Sequence, residues 1–491
     1  MKKGEIHTGT IEKVLFPNRG LATVESSEDA GTENQDSGVR VIVKNVIPGQ
    51  HIRYRISKKR SGRCEGQLLE VLDKSPLQSE EAGCSLFPVC GGCMYRTMTY
   101  EDTLQLKEEQ IRELLTGAIG APAQQDRQHA ENLPDSWIFE KIQGSPDPDG
   151  YRNKMEFSFG DAEKDGPLTL GLHKKNSRFD VLPVTDCRIV HGDFNLICRC
   201  VLEFCREKGW TYMHRVTHQG YLRHLMIRRA AMTGEIMADL VTTSRLPDGL
   251  DEEGEKKALD ELAARILALP LEGKVTGLLH TVNDSPADVV KNDRTDILYG
   301  RDWFNEKLLG LSFRITPFSF FQTNSKGAEV LYRTVREYVG DVKGQTVFDL
   351  YSGTGTIAQV IAPVCSHVVG VEIVPEAVEA ARENARLNGL ENCEFLCGDV
   401  LRVIDEIEKK PDTIILDPPR DGIHPKAMPK ILAFGVDRIV YISCKATSLA
   451  RDLPIMIEHG YRVEKVRCVD MFPFAVPTEV VALLTRNGSR P

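Results

Sequence analysis

The stretch TVFDLYSGTGTIA, residues 346–358, decides the fold. It reads as a buried strand carrying one carboxylate, Asp349, then a turn holding Gly353 and Gly355, then the opening of a helix. Glycines at such a turn let the backbone bend tightly and approach a ligand closely. Outward from it, four more β-favouring runs alternate with helical patterns: HVVGVEI (367–373), CEFLCGD (393–399), DTIILDPPRDGIHP (412–425) and DRIVYIS (437–443). Strands alternating with helices in this way predict a doubly wound parallel sheet. Ligands bind outside the carboxyl ends of such strands. Glu372, Asp399 and Asp417 end the second, third and fourth strands, so all three are candidate ligand contacts.

The glycine pattern by itself also satisfies the dinucleotide fingerprint, so an NAD-dependent dehydrogenase has to be weighed. Two features favour S-adenosylmethionine. Asp349, ahead of the glycines, would repel a pyrophosphate but suits a ligand carrying an amino group and a sulfonium. The ending, YRVEKVRCVDMFP followed by TEVVALLTR, reads as a terminal β-hairpin, which class I methyltransferases add to their sheet. Glu372 is placed to accept hydrogen bonds from ribose hydroxyls.

The fifth strand runs into YISCKATSLARD (441–452), where a single thiol, Cys444, stands in a polar turn beside Lys445. A lone cysteine is more often core packing, but a neighbouring cation favours thiolate. A thiolate beside a methyl donor suits methylation at C5 of a pyrimidine, a carbon too weakly nucleophilic to react until a thiolate has added at C6. A base must then remove the C5 proton. Glu479, at the start of the last strand, is the candidate, against the plainer reading of a solvated edge glutamate.

Of the 491 residues, those at 6–73 form short alternating runs (GTIEKVLF, VRVIVKNV, QHIRYRISKKR, CEGQLLEVL) that predict a small OB-like β-barrel. The polar insert SSEDAGTENQDSG (26–38) reads as a mobile loop, YEDTLQLKEEQIRELL (100–115) as a helix, 118–149 as linker and LPDGLDEEGEKK (246–257) as a surface insertion. Three units are expected: 1–75, the barrel; 76–310, a central α/β domain; and 311–491, the methyltransferase domain. The chain shows no signal-peptide h-region and no apolar run of the ~18 residues needed to span a bilayer, so a cytoplasmic protein is expected. In that reducing compartment the 13 cysteines are expected to be unpaired. Cys84, Cys90 and Cys93, spaced C-x5-C-x2-C, with Cys187 as a distant fourth, read as metal ligands. Their spacing suits an iron-sulfur [4Fe-4S] cluster better than the paired C-x2-C knuckles of structural zinc.

A net charge of −9 argues mildly against nucleic acid, but basic patches gather in the first half: Arg53, Arg55, Lys58, Lys59, Arg60 and Arg63; Lys174, Lys175 and Arg178; Arg223, Arg228 and Arg229. Each by itself reads as a solvated face. With Tyr54 nearby, the barrel suits backbone contacts and base stacking on RNA.

Over nearly its whole length the chain resembles the RNA uracil-5-methyltransferases, in particular the 23S rRNA branch with an N-terminal TRAM barrel. The resemblance rests on the barrel, the cluster cysteines, YRNKMEFSF (151–159), FSFFQTN (318–324), DLYSGTGTIA, VEIVPEAVEAARENARLNG, DPPRDGIHPKAM, YISCKATSLARDL, and DMFP with a glutamate six residues after its proline. It implies Cys444 as nucleophile and Glu479 as base, and Gln322, Tyr351, Glu372 and Asp417 as S-adenosylmethionine contacts. It also implies a [4Fe-4S] cluster and an RNA substrate, 23S rRNA ahead of tRNA, with no obligate protein partner inferred. Two departures bear on positioning: Lys445-Ala446 replaces the family's Asn-Pro, and Phe474-Ala475-Val476-Pro477 replaces its His-Thr-x-His. The non-catalytic rival is an RNA-binding or redox-sensing module.

Overall fold

The computed structural model describes residues 1–27, 40–60, 63–79, 83–122, 137–287, 292–404, 407 and 410–486. Most of the predicted insert at 26–38 lies outside these residues.

The N-terminal strands are β1 (Ile6–Leu15), β2 (Arg19–Ala22), β3 (Ser26–Ser27), β4 (Val41–Lys44), β5 (His51–Arg60) and β6 (Arg63–Asp73). They pair in the order β2-β4-β6-β5-β1, and β1 returns to β2, closing a five-stranded barrel; β3 adds to β1. Alternation along β1 and β5 sends Ile11, Ile52 and Ile56 inward. Tyr54 goes inward with them. It is 0 % exposed, its hydroxyl donates to the Thr23 carbonyl at 3.0 Å, and its ring packs where a Cβ on Gly66 would stand. The expectation that Tyr54 stacks on RNA is therefore corrected: its apolar ring is worth more in the small barrel core than in water.

Helix α1 (Tyr100–Ile119) begins at Thr99, whose side chain accepts from the Asp102 amide, and it buries Ile111 and Leu115. Strand β7 (Ile138–Gln143) follows. The linker expected over 118–149 is thus broken by a strand that buries Phe139 and Ile142 and joins the C-terminal sheet; residues 123–136 of it lie outside the described residues.

The central sheet contains β8 (Lys154–Gly160), β9 (Thr169–His173), β10 (Val181–Pro183), β11 (Leu222–Arg229), β12 (Glu235–Thr242), β13 (Lys274–Val282) and β14 (Arg294–Gly300), in the order β10-β9-β8-β11-β12-β13-β14. Helices α2 (Gly192–Glu207) and α3 (Glu252–Leu267) close one face over a core that includes Phe157, Phe194, Val201, Leu225, Leu240 and Leu262. Half of the predicted surface insertion at 246–257 is the first turns of α3, capped by Asp251. A hairpin, β15 (Phe304–Leu308) and β16 (Leu311–Ile315), and helix α4 (Ser325–Val339) lead to the last sheet.

That sheet is built from β17 (Val342–Leu350), β18 (Cys365–Glu372), β19 (Cys393–Cys397), β20 (Thr413–Leu416), β21 (Arg438–Ser443), β22 (Tyr461–Val469) and β23 (Glu479–Arg486). Between them run α5 (Thr356–Ile361), α6 (Pro375–Leu387), α7 (Val400–Val403), α8 (Ala427–Ala433) and α9 (Ala446–Glu458). The order is β19-β18-β17-β20-β21-β23-β22-β7, and β23 alone runs against the others. Consecutive apolar residues in β17, β20 and β21 are buried on both faces, as a sheet covered on two sides requires. The strand order reverses on either side of β17, and the crevice opens there.

Candidate active site

The turn after β17 carries three residues with positive φ: Tyr351 (70°), Gly353 (54°) and Gly355 (72°). At Gly355 a Cβ would stand 2.5 Å from the Phe395 ring and 2.8 Å from Ala381, so only glycine lets α5 start there. The turn is held by its neighbouring strand. The amides of Tyr351 and Ser352 both donate to the Val371 carbonyl at 3.0 Å. The Glu372 carboxylate accepts from the amides of Gly353 and Val374, each at 2.9 Å. Beside it Ile373 and Val374 leave an exposed apolar edge. Asp399 caps α7, accepting from the Leu401 amide at 3.0 Å, and faces the Tyr351 phenol, which burial and then Asp399 push up to about 12.

Deeper in the crevice the carboxyls crowd together. Asp349 is fully buried; one oxygen accepts from the Ala358 amide at 3.0 Å and the other has no hydrogen-bond partner among the described residues. Burial, then the neighbouring Asp417, pushes its pKa well above the carboxylate range. Burial raises Asp417 itself to about 7. The buried Tyr332 hydroxyl lies near Gln322 and near the carboxyls of Asp417, Glu479 and Asp349, and burial and then Asp417 push it up. A half-satisfied buried carboxyl among others of its sign suits a cationic ligand, and the apolar edge beyond Glu372 suits a flat ring. These residues therefore fit S-adenosylmethionine.

Cys444 follows β21 directly. The β21–β23 register ends at Ser443 paired with Val480, so Cys444 and Glu479 lie one residue further along, at the same rim. Burial raises the Glu479 carboxyl to about 8, with Asp417 adding to the rise and Arg420 opposing it. The Cys444 thiol is half-buried and raised, first by burial and then by Glu479 and Asp417; Arg420 is the side chain that pulls it down. The expected role of Lys445 is corrected here, because its ammonium turns away to Asp421 at 3.4 Å. Two features missed in the sequence take its place. Arg420 stood in DPPR without an assigned role, and α9 starts two residues after Cys444, bringing the positive end of its dipole to the thiol.

Cys84, Cys90, Cys93 and Cys187 line one pocket, with Leu86, Leu172, Val184 and Ile189 as its apolar wall. Burial, then the other thiols, raises Cys93 to about 12; burial is also the main cause of the rise in Cys187 to about 11. The Gly92 amide points at the Cys90 sulfur at 3.4 Å. Among the described residues no three His, Cys, Asp or Glu side chains are gathered closely enough to hold a metal ion.

Two basic patches read differently in three dimensions. Lys58, Lys59 and Arg60 are exposed at the end of β5. Arg223 is buried and donates to the carbonyls of Asn283, Ser285 and Ala287; Arg228 is buried on the carbonyls of Thr316 and Ser319; Arg229 pairs with Asp193 at 2.9 Å. This last trio ties chain segments together and is not an RNA-binding patch. Among the described residues no helix is long and apolar enough to cross a membrane.

Fold and crevice together define a class I S-adenosylmethionine-dependent methyltransferase, and a family model described as a methyltransferase domain matches residues 341–459. Similar proteins include uncharacterized RNA methyltransferases of Clostridium tetani and of Caldanaerobacter subterraneus subsp. tengcongensis. The first is 45 % identical, covering 100 % of this chain and 99 % of the relative; the second is 41 % identical, covering 99 % and 100 %. The chain belongs to this RNA methyltransferase family. In fold it is also similar to the Pyrococcus abyssi tRNA (uracil-54, C5)-methyltransferase, crystallised with S-adenosyl-L-homocysteine (TM-score 0.70, 24 % identity, covering 97 % of this chain and 100 % of that one).

Proposed function

We propose that this RNA methyltransferase makes 5-methyluridine, with Cys444 as nucleophile and Glu479 as base. The observation that carries the reading is the pairing at one rim of a thiol and a buried carboxyl whose pKa is raised to about 8. The Cys444 sulfur, having lost its proton, bonds to C6 of a uracil, and the C5=C6 electron pair moves toward O4, making C5 nucleophilic. S-adenosylmethionine, when bound, would supply the electrophilic methyl group that C5 takes up, leaving as a neutral thioether. Glu479 then takes the C5 proton; the freed electron pair restores C5=C6 and expels the cysteine thiolate. The proton ends on Glu479 and passes to solvent, so each cycle replaces one C5 hydrogen with methyl. A carboxyl with a pKa near 8 is matched to taking and releasing that proton near neutrality. Gln322, Asp349, Tyr351, Gly353, Gly355, Glu372, Asp399 and Asp417 are assigned to the methyl donor.

The target uridine must leave its stack to reach the rim, which favours an unpaired loop of structured RNA. We assign the RNA to 23S rRNA, gripped by the barrel of residues 1–75 and its exposed Lys58, Lys59 and Arg60, with residues 76–310 presenting the loop to the domain at 311–491. A tRNA substrate is the second reading, suggested by the name of the Pyrococcus enzyme whose fold this chain shares. Incubation of 23S rRNA fragments and tRNA transcripts with protein and S-adenosylmethionine, followed by nucleoside mass spectrometry, tests both. 5-Methyluridine in the rRNA is expected; product in tRNA alone would reassign the substrate, and a methyl group on any other atom would end the reading.

We also propose that Cys84, Cys90, Cys93 and Cys187 hold a [4Fe-4S] cluster. A single zinc needs four sulfurs each at about 2.3 Å, whereas thiols spread around one pocket suit a multi-atom cluster, with backbone amides directed at sulfur. It would join segments distant in sequence. Anaerobic purification should yield a brown protein with iron near four per chain; a colourless protein carrying zinc would end the idea.

A further inference from the structure

Glu479 is delivered to the rim by the loop Asp470–Thr478, which joins β22 to β23. Five of that loop's carbonyls are held from outside it. Asn324 donates to Met471 at 3.0 Å, the Tyr151 hydroxyl to Pro473 at 3.3 Å, and the amides of Met94 and Tyr95 to Phe474 at 2.7 and 3.0 Å. The other two, Phe472 and Pro477, lie on opposite arms and converge on one ammonium, that of Lys107, at 3.0 and 3.4 Å. Its third contact is the Asp470 carboxylate at 2.6 Å. A lysine ammonium has three N–H donors, and here all three serve one loop.

The Lys107 and Asp470 side chains are 1 % and 0 % exposed. A buried ion pair is a poor way to gain stability, since apolar residues of similar volume are often as good or better. What this pair supplies is geometry: it draws together the two arms of the loop whose far end is Glu479. It reaches them from α1, a helix whose sequence showed only an amphipathic pattern.

We propose that Lys107 is a positioning residue for the last step of the reaction, setting the Glu479 carboxyl against the C5 proton by clamping both arms of the 470–478 loop. The inference rests on the assignment of Glu479 as base. The step it serves is resolution of the covalent intermediate, not its formation, because addition at C6 and methyl transfer to C5 leave the C5 proton in place.

The test uses the full-length protein with an RNA substrate and compares Lys107→Met/Asp470→Asn, which removes both charges together, with Lys107→Arg, which keeps the charge but not the three-way contact. Adduct formation with 5-fluorouridine RNA and affinity for S-adenosylhomocysteine are expected to stay within about threefold of wild type. Release of tritium from [5-³H]uridine RNA in a single turnover should fall roughly tenfold to a hundredfold in the neutral pair, the scale of an ångström-level misplacement. It should fall less in the Arg variant. Tritium release at the wild-type rate in either variant overturns the proposal, as does an equal fall in all three measurements, which would mark a purely structural role. If wild type forms no adduct, the reading of Cys444 fails. If Glu479→Gln stalls resolution while the neutral pair does not, only the role of Lys107 fails.

Discussion

Replacing Glu479 with Gln should make the protein more stable and leave it unable to finish its reaction. The carboxyl moves from an ordinary 4.5 to about 8, mainly through burial. At 1.36 kcal/mol per pH unit, holding it ionised in the fold therefore costs at most about 5 kcal/mol. The sign follows from proton uptake. A carboxyl raised in the fold contributes stability in full below pH 4.5, and that contribution is lost as pH climbs to about 8. Glutamine has no proton to lose, so its advantage grows across that window and levels off above it. Asp417, itself raised to about 7, shares the proton load, which brings the expected difference to about 2 kcal/mol. The assay is denaturant unfolding of the full-length protein at pH 5.5 and 8.5, for wild type and variant alike. Glu479→Gln should gain about 2 kcal/mol more relative to wild type at the higher pH, while turnover drops by two to four orders of magnitude, about the worth of a positioned base. A variant less stable than wild type at pH 8.5 would refute the reasoning, because Glu479 would then be a satisfied structural group.

The pH dependence of catalysis should run the same way: both Cys444 and Glu479 are raised acids that must lose protons, so kcat/KM should climb from pH 6 to about 8.5, and a maximum near pH 6 would contradict the assignment. Gly355→Ala forces a side chain to φ 72° against Phe395, and calorimetry with S-adenosylhomocysteine should show at least about tenfold weaker binding. Arg228→Met should lower stability by about 3 kcal/mol without changing the salt dependence of RNA affinity, whereas Lys58→Ala with Lys59→Ala should reduce that slope by about two and leave stability within about 0.5 kcal/mol.

The crevice was legible because its residues sit at strand ends, and strand ends are marked by local pattern: FDLYSGTG, VEI, LDPP and YISC each announce where a side chain meets the rim. Burial is different. Tyr54 and Arg228 look in sequence like RNA-facing residues, yet the barrel interior claims one and carbonyls nearly ninety positions away claim the other. Strand β7 escaped notice because IFEKIQ is short and set in linker-like composition, and its partner is about 330 residues further along. Lys445 was the obvious cation beside Cys444, but adjacency in the chain at the start of a helix sends its side chain toward Asp421, leaving Arg420, from a different loop, to face the thiol. Lys107 shows the same limit, since nothing around it in the helix indicates the loop it clamps.

The central claim is a sulfur–carbon bond between Cys444 and the target base. RNA carrying 5-fluorouridine, incubated with protein and S-adenosylmethionine, should give a complex that survives denaturation, because fluorine at C5 leaves no proton for Glu479 to remove. Digestion and mass spectrometry should then place a methylated fluorouridine nucleotide on the peptide containing Cys444. Full methylation of ordinary uridine RNA with no such adduct, or an adduct on any other residue, would contradict the account.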